Sequence, residues 1–201
     1  MSYREAASLA TLHAEINKAA PNRDRAADGW IGDAAHAART SDHNPWVKDA
    51  NGVGVVRARD WTHDPAGGLD CAVLAGFLAS RLGEHPALGS GAYVIWRSHI
   101  ISTDRIREGW RTYTGSNPHA HHLHLSVGVA GYDSTSPWGW PESKRLPARI
   151  RRAVAELDRE IVRVRAARDV ARARGEKPAP YAATIRAIRA ARKAARQVPK
   201  R

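Results

Sequence analysis

The chain has 201 residues and 43% hydrophobic side chains, which is enough for one domain of ordinary size with an appendage and excludes global disorder. Cys71 is the only cysteine. This excludes an intramolecular disulfide and a cysteine-rich zinc site, so any metal must be bound by histidine and carboxylate ligands. No stretch has the apolar core of a signal peptide or the length of a membrane span, and we therefore expect a protein made in the cytoplasm without a signal peptide.

The formal net charge of +12 is distributed unevenly along the chain. Residues 143–201 contain 19 Lys and Arg against 5 Asp and Glu, a net of +14, whereas the preceding residues contain 13 against 15. This asymmetry indicates two modules with different partners. We expect a nearly neutral domain over residues 1–141 and a basic helical tail over residues 142–201.

Hydrophobic periodicity predicts the elements of the first module. In chain order, we expect helices over 5–19, 34–39 and 69–82, and strands over 53–61, 93–96, 100–102 and 122–127. Pro21 is expected to end the first helix, and Asp33 to cap the second. Helices combined with mostly antiparallel strands predict an α+β fold, in which helices flank a small, mostly antiparallel sheet.

The tail has apolar residues every three to four positions from Ile150 to Val164, which predicts an amphipathic helix. The Gly/Pro-rich stretch 175–180 interrupts the pattern, and a second helix is expected from Tyr181, giving a basic αα-hairpin. This hairpin either packs on itself and on the first module or binds anionic wall polymers or a membrane surface. Nucleic acid is a third partner by charge alone. It is disfavoured because Tyr181 is the only aromatic residue of the tail and no nucleic-acid-binding motif is evident.

Four of the ten histidines lie between His119 and His124, in the sequence Pro-His-Ala-His-His-Leu-His. Side chains two residues apart in a strand point to the same face. His122 and His124 are therefore expected to project together, while Leu123 and Leu125 face the core. Two imidazoles on one rigid strand make half of a metal site.

His43 and Asp60 are the complementary ligand candidates upstream of the histidine run. His43 lies in a polar, turn-rich loop, whereas Asp60 closes an apolar strand, where a charged residue costs free energy unless it is paired, hydrogen-bonded or bound to a metal. Two histidines and one carboxylate, with a fourth position open, form the usual catalytic zinc arrangement. Zinc lowers the pKa of bound water and polarises a carbonyl oxygen, which suits amide hydrolysis.

The motifs that carry these residues resemble a metallopeptidase family that includes D-alanyl-D-alanine carboxypeptidases and penicillin-insensitive murein endopeptidases. The family pattern is Ser-x-His, then Ala-x-Asp, then a histidine near the end of a strand. This chain matches it with Ser41-Asp42-His43, Ala58-Arg59-Asp60 and His122-Leu123-His124. Residues 41–49 and 117–127 are also similar to a set of actinobacterial phage endolysins. The resemblance covers roughly residues 5–141. It implies a peptidase that hydrolyses bacterial peptidoglycan for host lysis, acting on the cell wall after release from the cytoplasm.

The resemblance also implies a role for each matching residue. His43, Asp60 and His124 would bind a zinc ion. His122 would be the active-site base or would stabilise the transition state. His119 matches another active-site histidine of the murein endopeptidase branch.

Two further residues would lie beside the site, Ser41 and Arg39, and Arg39 is suited to bind a peptide carboxylate. The chain departs from the family pattern where some members carry a carboxylate three residues before the last ligand, because His121 stands there. A stretch over 46–52 also lengthens the first motif like an inserted loop. We therefore prefer His122 as the general base, since it shares a face with the last ligand. His63 is a weaker candidate for a contact with the metal.

Two other functional hypotheses remain open from the sequence. One is a metal-dependent nuclease or phosphoesterase whose basic tail holds nucleic acid. The other is a non-catalytic module that binds the cell wall or a virion and retains a vestigial metal site. The sequence leaves open which peptide bond a peptidase would cut.

Overall fold

The computed structural model describes residues 2–33, 40–140, 148–177 and 179–196. These residues form four helices and two sheets, so the fold is α+β, as predicted. The helices are α1 (Ala7–Ala19), α2 (Cys71–Ala79), α3 (Ala148–Ala173) and α4 (Ala179–Arg196). The strands are β1 (Tyr3–Glu5), β2 (Val47–Lys48), β3 (Gly54–Val56), β4 (Ala58–Thr62), β5 (Tyr93–Trp96), β6 (His99–Ser102), β7 (Arg111–Thr112) and β8 (His122–Ser126).

The larger sheet has five strands in the order β4-β8-β5-β6-β7, and every neighbouring pair is antiparallel. The smaller sheet has the order β1-β3-β2. The single strand predicted over 53–61 was wrong, because β3 and β4 belong to different sheets with Arg57 between them. Arg57 leaves the ladder because its backbone N–H donates to the carbonyl of Asp42, and its guanidinium donates to the Asp42 carboxylate and the Val127 carbonyl.

Helix α1 begins two residues later than the periodicity predicts. Residues 3–5 pair with β3 as a parallel strand, and the Ala6 N–H continues this pairing to the carbonyl of Val56 at 3.0 Å. The helix then buries Leu9, Leu12 and Ile16 on one face and ends just before Pro21, as the sequence predicts.

Helix α2 begins at a side-chain cap, where the Asp70 carboxylate accepts a hydrogen bond from the Ala72 N–H at 2.8 Å. It is shorter at both ends than the predicted range 69–82. The helix contacts β5 and β8, whose apolar side chains Val94, Leu123 and Leu125 are fully buried. Since strand side chains alternate, the polar residues of the same strands face the opposite side of the sheet.

Two buried tryptophans, Trp138 and Trp140, lie just before the predicted module boundary. Their backbone N–H groups donate to the two carboxylate oxygens of Glu15 on α1, at 2.8 and 3.0 Å. The Trp138 indole N–H also donates to the carbonyl of Ser8 at 2.9 Å. These contacts hold residues near 140 against the first helix.

Helices α3 and α4 follow in the basic part of the chain. Arg165 of α3 donates to the carbonyl of Leu82 and forms an ion pair with Glu84, both at 2.8 Å. The αα-hairpin and the module boundary near residue 141 stay predictions. The predicted helix over 34–39 lies outside the described residues. Among the helices that are described, none combines the length and the apolar character needed to cross a membrane.

Candidate metal centre

Asp60 and His124 are direct cross-strand neighbours, because β4 and β8 pair in the register that places one opposite the other. Paired residues of two antiparallel strands project from the same face of the sheet. The Asp60 Oδ1 atom accordingly lies 3.0 Å from His124 Nδ1. The register thus brings together two residues that are 64 positions apart in the sequence.

His43 reaches the same point from the loop before β2. Its backbone is held at both ends, since its N–H donates to Ser41 Oγ at 3.3 Å and its carbonyl accepts from the Gly32 N–H at 3.0 Å. The His43 Nε2 atom lies 3.2 Å from His124 Nδ1 and 3.4 Å from Asp60 Oδ2. The three ligand atoms all lie within 4.8 Å of one another, as a single metal ion requires.

The outer nitrogen of each ligand histidine has its own hydrogen-bond partner. His43 Nδ1 lies 3.1 Å from the carbonyl of Trp30, which can only accept, so Nδ1 carries a proton. His124 Nε2 lies 3.0 Å from the hydroxyl of Ser126. The Ser126 hydroxyl can accept as well as donate, so it is compatible with a proton on His124 Nε2. With protons on these two outer nitrogens, His43 Nε2 and His124 Nδ1 are the nitrogens available to a cation beside Asp60. Such outer partners orient histidine ligands at metal sites.

The charge balance of the three residues is that of a cation site. Burial works against ionisation of Asp60, but hydrogen bonds from His124 and His43 outweigh it and hold the pKa of the Asp60 carboxyl well below its ordinary value. Burial likewise opposes protonation of His43, yet the hydrogen bond and the charge of Asp60 raise the pKa of His43. The carboxylate is therefore ionised and draws positive charge into a mostly buried place.

His122 lies beside this centre, on the same face of β8 as His124. Its Nε2 atom is 3.7 Å from Asp60 Oδ2 and 3.5 Å from Asn117 Nδ2. The Asn117 amide nitrogen can only donate, so Nε2 of His122 carries a lone pair rather than a proton. Burial lowers the pKa of His122, with the charge of Asp60 acting in the opposite direction, and this keeps the ring neutral near pH 7.

His119 completes the cluster from the loop before β8. Its ring centroid lies 4.9 Å from that of His122 and 5.3 Å from that of His124. The residue is 6% exposed, and burial together with the charge of His124 lowers the pKa of His119 to about 4. Its backbone has a φ of 51°, in the left-handed region that few residues other than glycine adopt.

The structure brings five of the seven predicted site residues into one cluster, namely His43, Asp60, His119, His122 and His124. Ser41 lies under the His43 loop, where its hydroxyl accepts from the His43 N–H. The remaining residue, Arg39, lies outside the described residues. Among the described residues, two groups of three can hold a metal ion, and they share Asp60.

The weaker candidate His63 belongs to neither group. Its Nδ1 atom accepts a hydrogen bond from the Cys71 N–H at 3.1 Å, and its ring packs 5.0 Å from that of Trp96. These contacts give His63 a structural role at the start of α2. His121 is exposed, and its carbonyl accepts from the His63 N–H at 2.9 Å.

Sequence reasoning missed the residues that orient the histidines. Ser126 bonds His124, and Asn117 bonds both the His119 backbone and His122. Tyr93 stacks on the His124 ring with centroids 5.4 Å apart and hydrogen-bonds to Ser126. The period-two pattern could have indicated Ser126, two residues beyond His124. Nothing in the local sequence indicated Tyr93, which comes from another strand.

The residues present fit a divalent metal ion. The donor set is two imidazoles and one carboxylate, which suits zinc. The Trp30 carbonyl holds His43 in the tautomer that a ligand needs, the Ser126 hydroxyl is compatible with the same tautomer of a metal-bound His124, and the carboxylate is ionised. Comparison of the chain with protein-family models, curated proteins and solved structures finds no significant match.

Proposed function

We propose that this chain is a zinc-dependent peptidase that hydrolyses peptide bonds of bacterial peptidoglycan. The observation that carries the proposal is the convergence of His43, Asp60 and His124 on one point, with His122 beside them. This is a catalytic rather than a structural zinc set, because it supplies three protein ligands and leaves a position for other groups. The sequence motifs of the three ligands are those that resemble the peptidase family.

In this proposal His43 Nε2, the Asp60 carboxylate and His124 Nδ1 hold the zinc ion. Bound there, zinc supplies Lewis-acid chemistry, which suits hydrolysis of an amide. Trp30 and Ser126 keep the two imidazoles in the required orientation through their outer nitrogens.

His122 is the residue best suited to move a proton. Its Nε2 atom carries a lone pair, faces Asp60 and belongs to a ring whose pKa is lowered by burial, so it is unprotonated at neutral pH. A neutral histidine in this position can take a proton from the attacking water and pass it to the leaving amine. His119, also neutral, lies at the edge of the same space and would stabilise the reacting group. Arg39 and Ser41 are proposed to contact the substrate, with the guanidinium on a peptide carboxylate.

The proposed biological setting follows from the resemblance to phage endolysins. The protein would act on the cell wall after release from the cytoplasm in which it is made, and it would lyse the host. The basic tail, whose residues 143–201 carry a net charge of +14, would hold the enzyme to anionic wall polymers or to a membrane surface.

The proposal is tested by mass spectrometry of purified mycobacterial-type peptidoglycan after incubation with the protein, with and without a zinc chelator. New amino or carboxyl ends that vanish with the chelator are expected, and their identity names the bond that is cut. Asp60→Ala and His124→Ala should abolish the new ends. His121→Ala is the matched control, because this histidine is exposed and belongs to the same run. Full activity in either ligand variant would overturn the zinc assignment.

The role of His122 is tested separately from that of the ligands. His122→Gln should retain zinc while kcat falls about 10²–10⁴-fold, the usual contribution of a general base. Zinc content is measured on the same preparation by elemental analysis. A variant that keeps zinc and full kcat shows that another group takes the proton.

One observation favours a second candidate function, a metal-dependent nuclease or phosphoesterase. The strong positive charge of residues 143–201 would attract a nucleic-acid backbone. The nuclease hypothesis predicts metal-dependent cleavage of plasmid DNA, and this cleavage should be lost when residues 143–201 are deleted. Folded, zinc-loaded protein that binds walls but produces no new ends on peptidoglycan or DNA would instead favour a non-catalytic wall-binding module.

A further inference from the structure

A second set of metal ligands overlaps the proposed zinc site. Ligand atoms of Asp60, His119 and His122 also lie within 4.8 Å of one another, and Asp60 is common to both sets. Oδ1 of Asp60 lies 3.0 Å from His124 Nδ1, whereas Oδ2 lies 3.4 Å from His43 Nε2 and 3.7 Å from His122 Nε2. Asp60 therefore lies beside histidines of both sets, and one carboxylate can bind two cations.

His119 carries the observation that points to a ligand. Its Nδ1 atom is fully buried and has no hydrogen-bond partner within the described part of the chain. A buried polar nitrogen without a partner is destabilising, so such atoms usually serve a purpose beyond packing.

The backbone around His119 is arranged to hold the ring in place. Its left-handed conformation is unfavourable for a residue with a side chain, so the surrounding structure must hold it. Three hydrogen bonds maintain it. The His119 N–H donates to Asn117 Oδ1 at 3.0 Å, and the carbonyls of Pro118 and His119 accept from Ser98 and Arg97 in the β5–β6 turn at 2.8 and 3.2 Å. The turn itself uses positive φ at both residues, 45° and 57°.

We infer that Asp60, His119 and His122 form a second, weaker zinc site, and that an ion bound there inhibits the enzyme. The inference rests on the proposed function for its inhibitory effect. The second ion occupies the lone pair of His122 Nε2 that proton transfer requires. A single carboxylate would then face two divalent ions, so repulsion between the ions makes the second site weaker than the first.

The chemistry of the second set indicates which ions it takes. Two imidazoles and a carboxylate favour zinc, copper or nickel over calcium or magnesium, which prefer oxygen ligands. The same metal therefore serves as activator at the first site and as inhibitor at the second. Activity is expected to rise with zinc, pass through a maximum and fall in excess zinc.

The binding test uses zinc itself with the full chain, by isothermal titration and by elemental analysis after equilibrium dialysis. The expected result is two ions per chain, one tight and one weak. His119→Asn and His122→Gln should each reduce the stoichiometry to one and leave the tight ion in place. Asparagine is chosen because it tolerates the left-handed backbone. His121→Ala should keep both ions, and His124→Ala should lose the tight one.

The outcomes separate this inference from the proposed function. A wild-type stoichiometry of one ion, or two ions retained in both His119→Asn and His122→Gln, overturns the second site. If two ions bind but peptidoglycan is not cleaved, the second site is supported and the proposed peptidase activity is overturned. Cleavage that stays at its plateau when the weak site of the wild-type protein is filled with zinc overturns the inhibitory role.

Discussion

Replacing Ser126 by alanine tests whether the hydrogen bonds behind the ligands set the metal affinity. The Ser126 hydroxyl lies 3.0 Å from His124 Nε2, and the two residues are 0% and 5% exposed. Water therefore cannot replace the lost partner. In Ser126→Ala the imidazole N–H is left buried and unpaired, which costs about 1–3 kcal/mol. Outer partners of metal-bound histidines usually contribute about 10–100-fold in affinity. We expect zinc affinity to fall by a factor in that range.

The assay is competition for zinc with a chromophoric chelator at fixed pH. Ser80→Ala is the matched control, because Ser80 is also buried and its hydroxyl donates to a carbonyl, that of Phe77, at 2.9 Å on α2. The control should lose stability without losing zinc affinity. A folded Ser126→Ala protein that binds zinc within about twofold of the wild type would refute the reasoning, since a buried ligand partner is expected to matter far more than this.

Three further predictions concern the fold around the site. Burial lowers the pKa of His13 from 6.5 to about 4, and the Trp61 indole N–H donates to its Nδ1 atom. The neutral ring therefore contributes its whole share of the free energy of unfolding above pH 6.5, and this contribution is lost as the pH falls toward 4. The pKa difference corresponds to about 3 kcal/mol, and because 23% of the side chain is exposed we expect about 2 kcal/mol. In urea unfolding, the free energy of His13→Gln should therefore depend less on pH than that of the wild type. Glu15→Ala should lower the free energy of unfolding by about 2 kcal/mol, because two backbone N–H groups lose their acceptor, whereas Glu15→Gln should lose less. Cys71 is fully buried, and burial raises the pKa of its thiol to about 12. A maleimide or disulfide reagent should therefore label it only after unfolding, and rapid labelling of the native protein would contradict the buried position.

The sequence predicted the site well where ligands lie close together on one strand. The alternation of His122, Leu123, His124 and Leu125 predicted correctly which side chains share a face, because side chains of a strand alternate whatever the rest of the fold does. His43 and Asp60 were found by their motifs, since neither spacing nor periodicity relates a loop histidine to a distant strand.

The predictions from the sequence were wrong where a tertiary contact overrode a local preference. The apolar pattern over 53–61 is continuous, so it predicted one strand. The side chain and N–H of Arg57 are instead bonded outside the ladder, and the strand divides between two sheets. In the same way, the helix predicted from Glu5 begins two residues later, because Glu5 ends an extended segment that pairs with β3 and satisfies the backbone groups of that strand.

By itself, the sequence determined the α+β class, the uneven charge and the residue types available to a metal. These depend on composition and on local periodicity, which are readable without a fold. Only the tertiary structure decided that Asp60 stands opposite His124, and that the carbonyl of Trp30 and the hydroxyl of Ser126 orient the two imidazoles. It also decided that His119 joins the cluster with a buried nitrogen that has no hydrogen-bond partner among the described residues. The physical reason is that sheet register and loop packing fix distances between residues far apart in the chain, and these distances decide which lone pairs can meet on one ion.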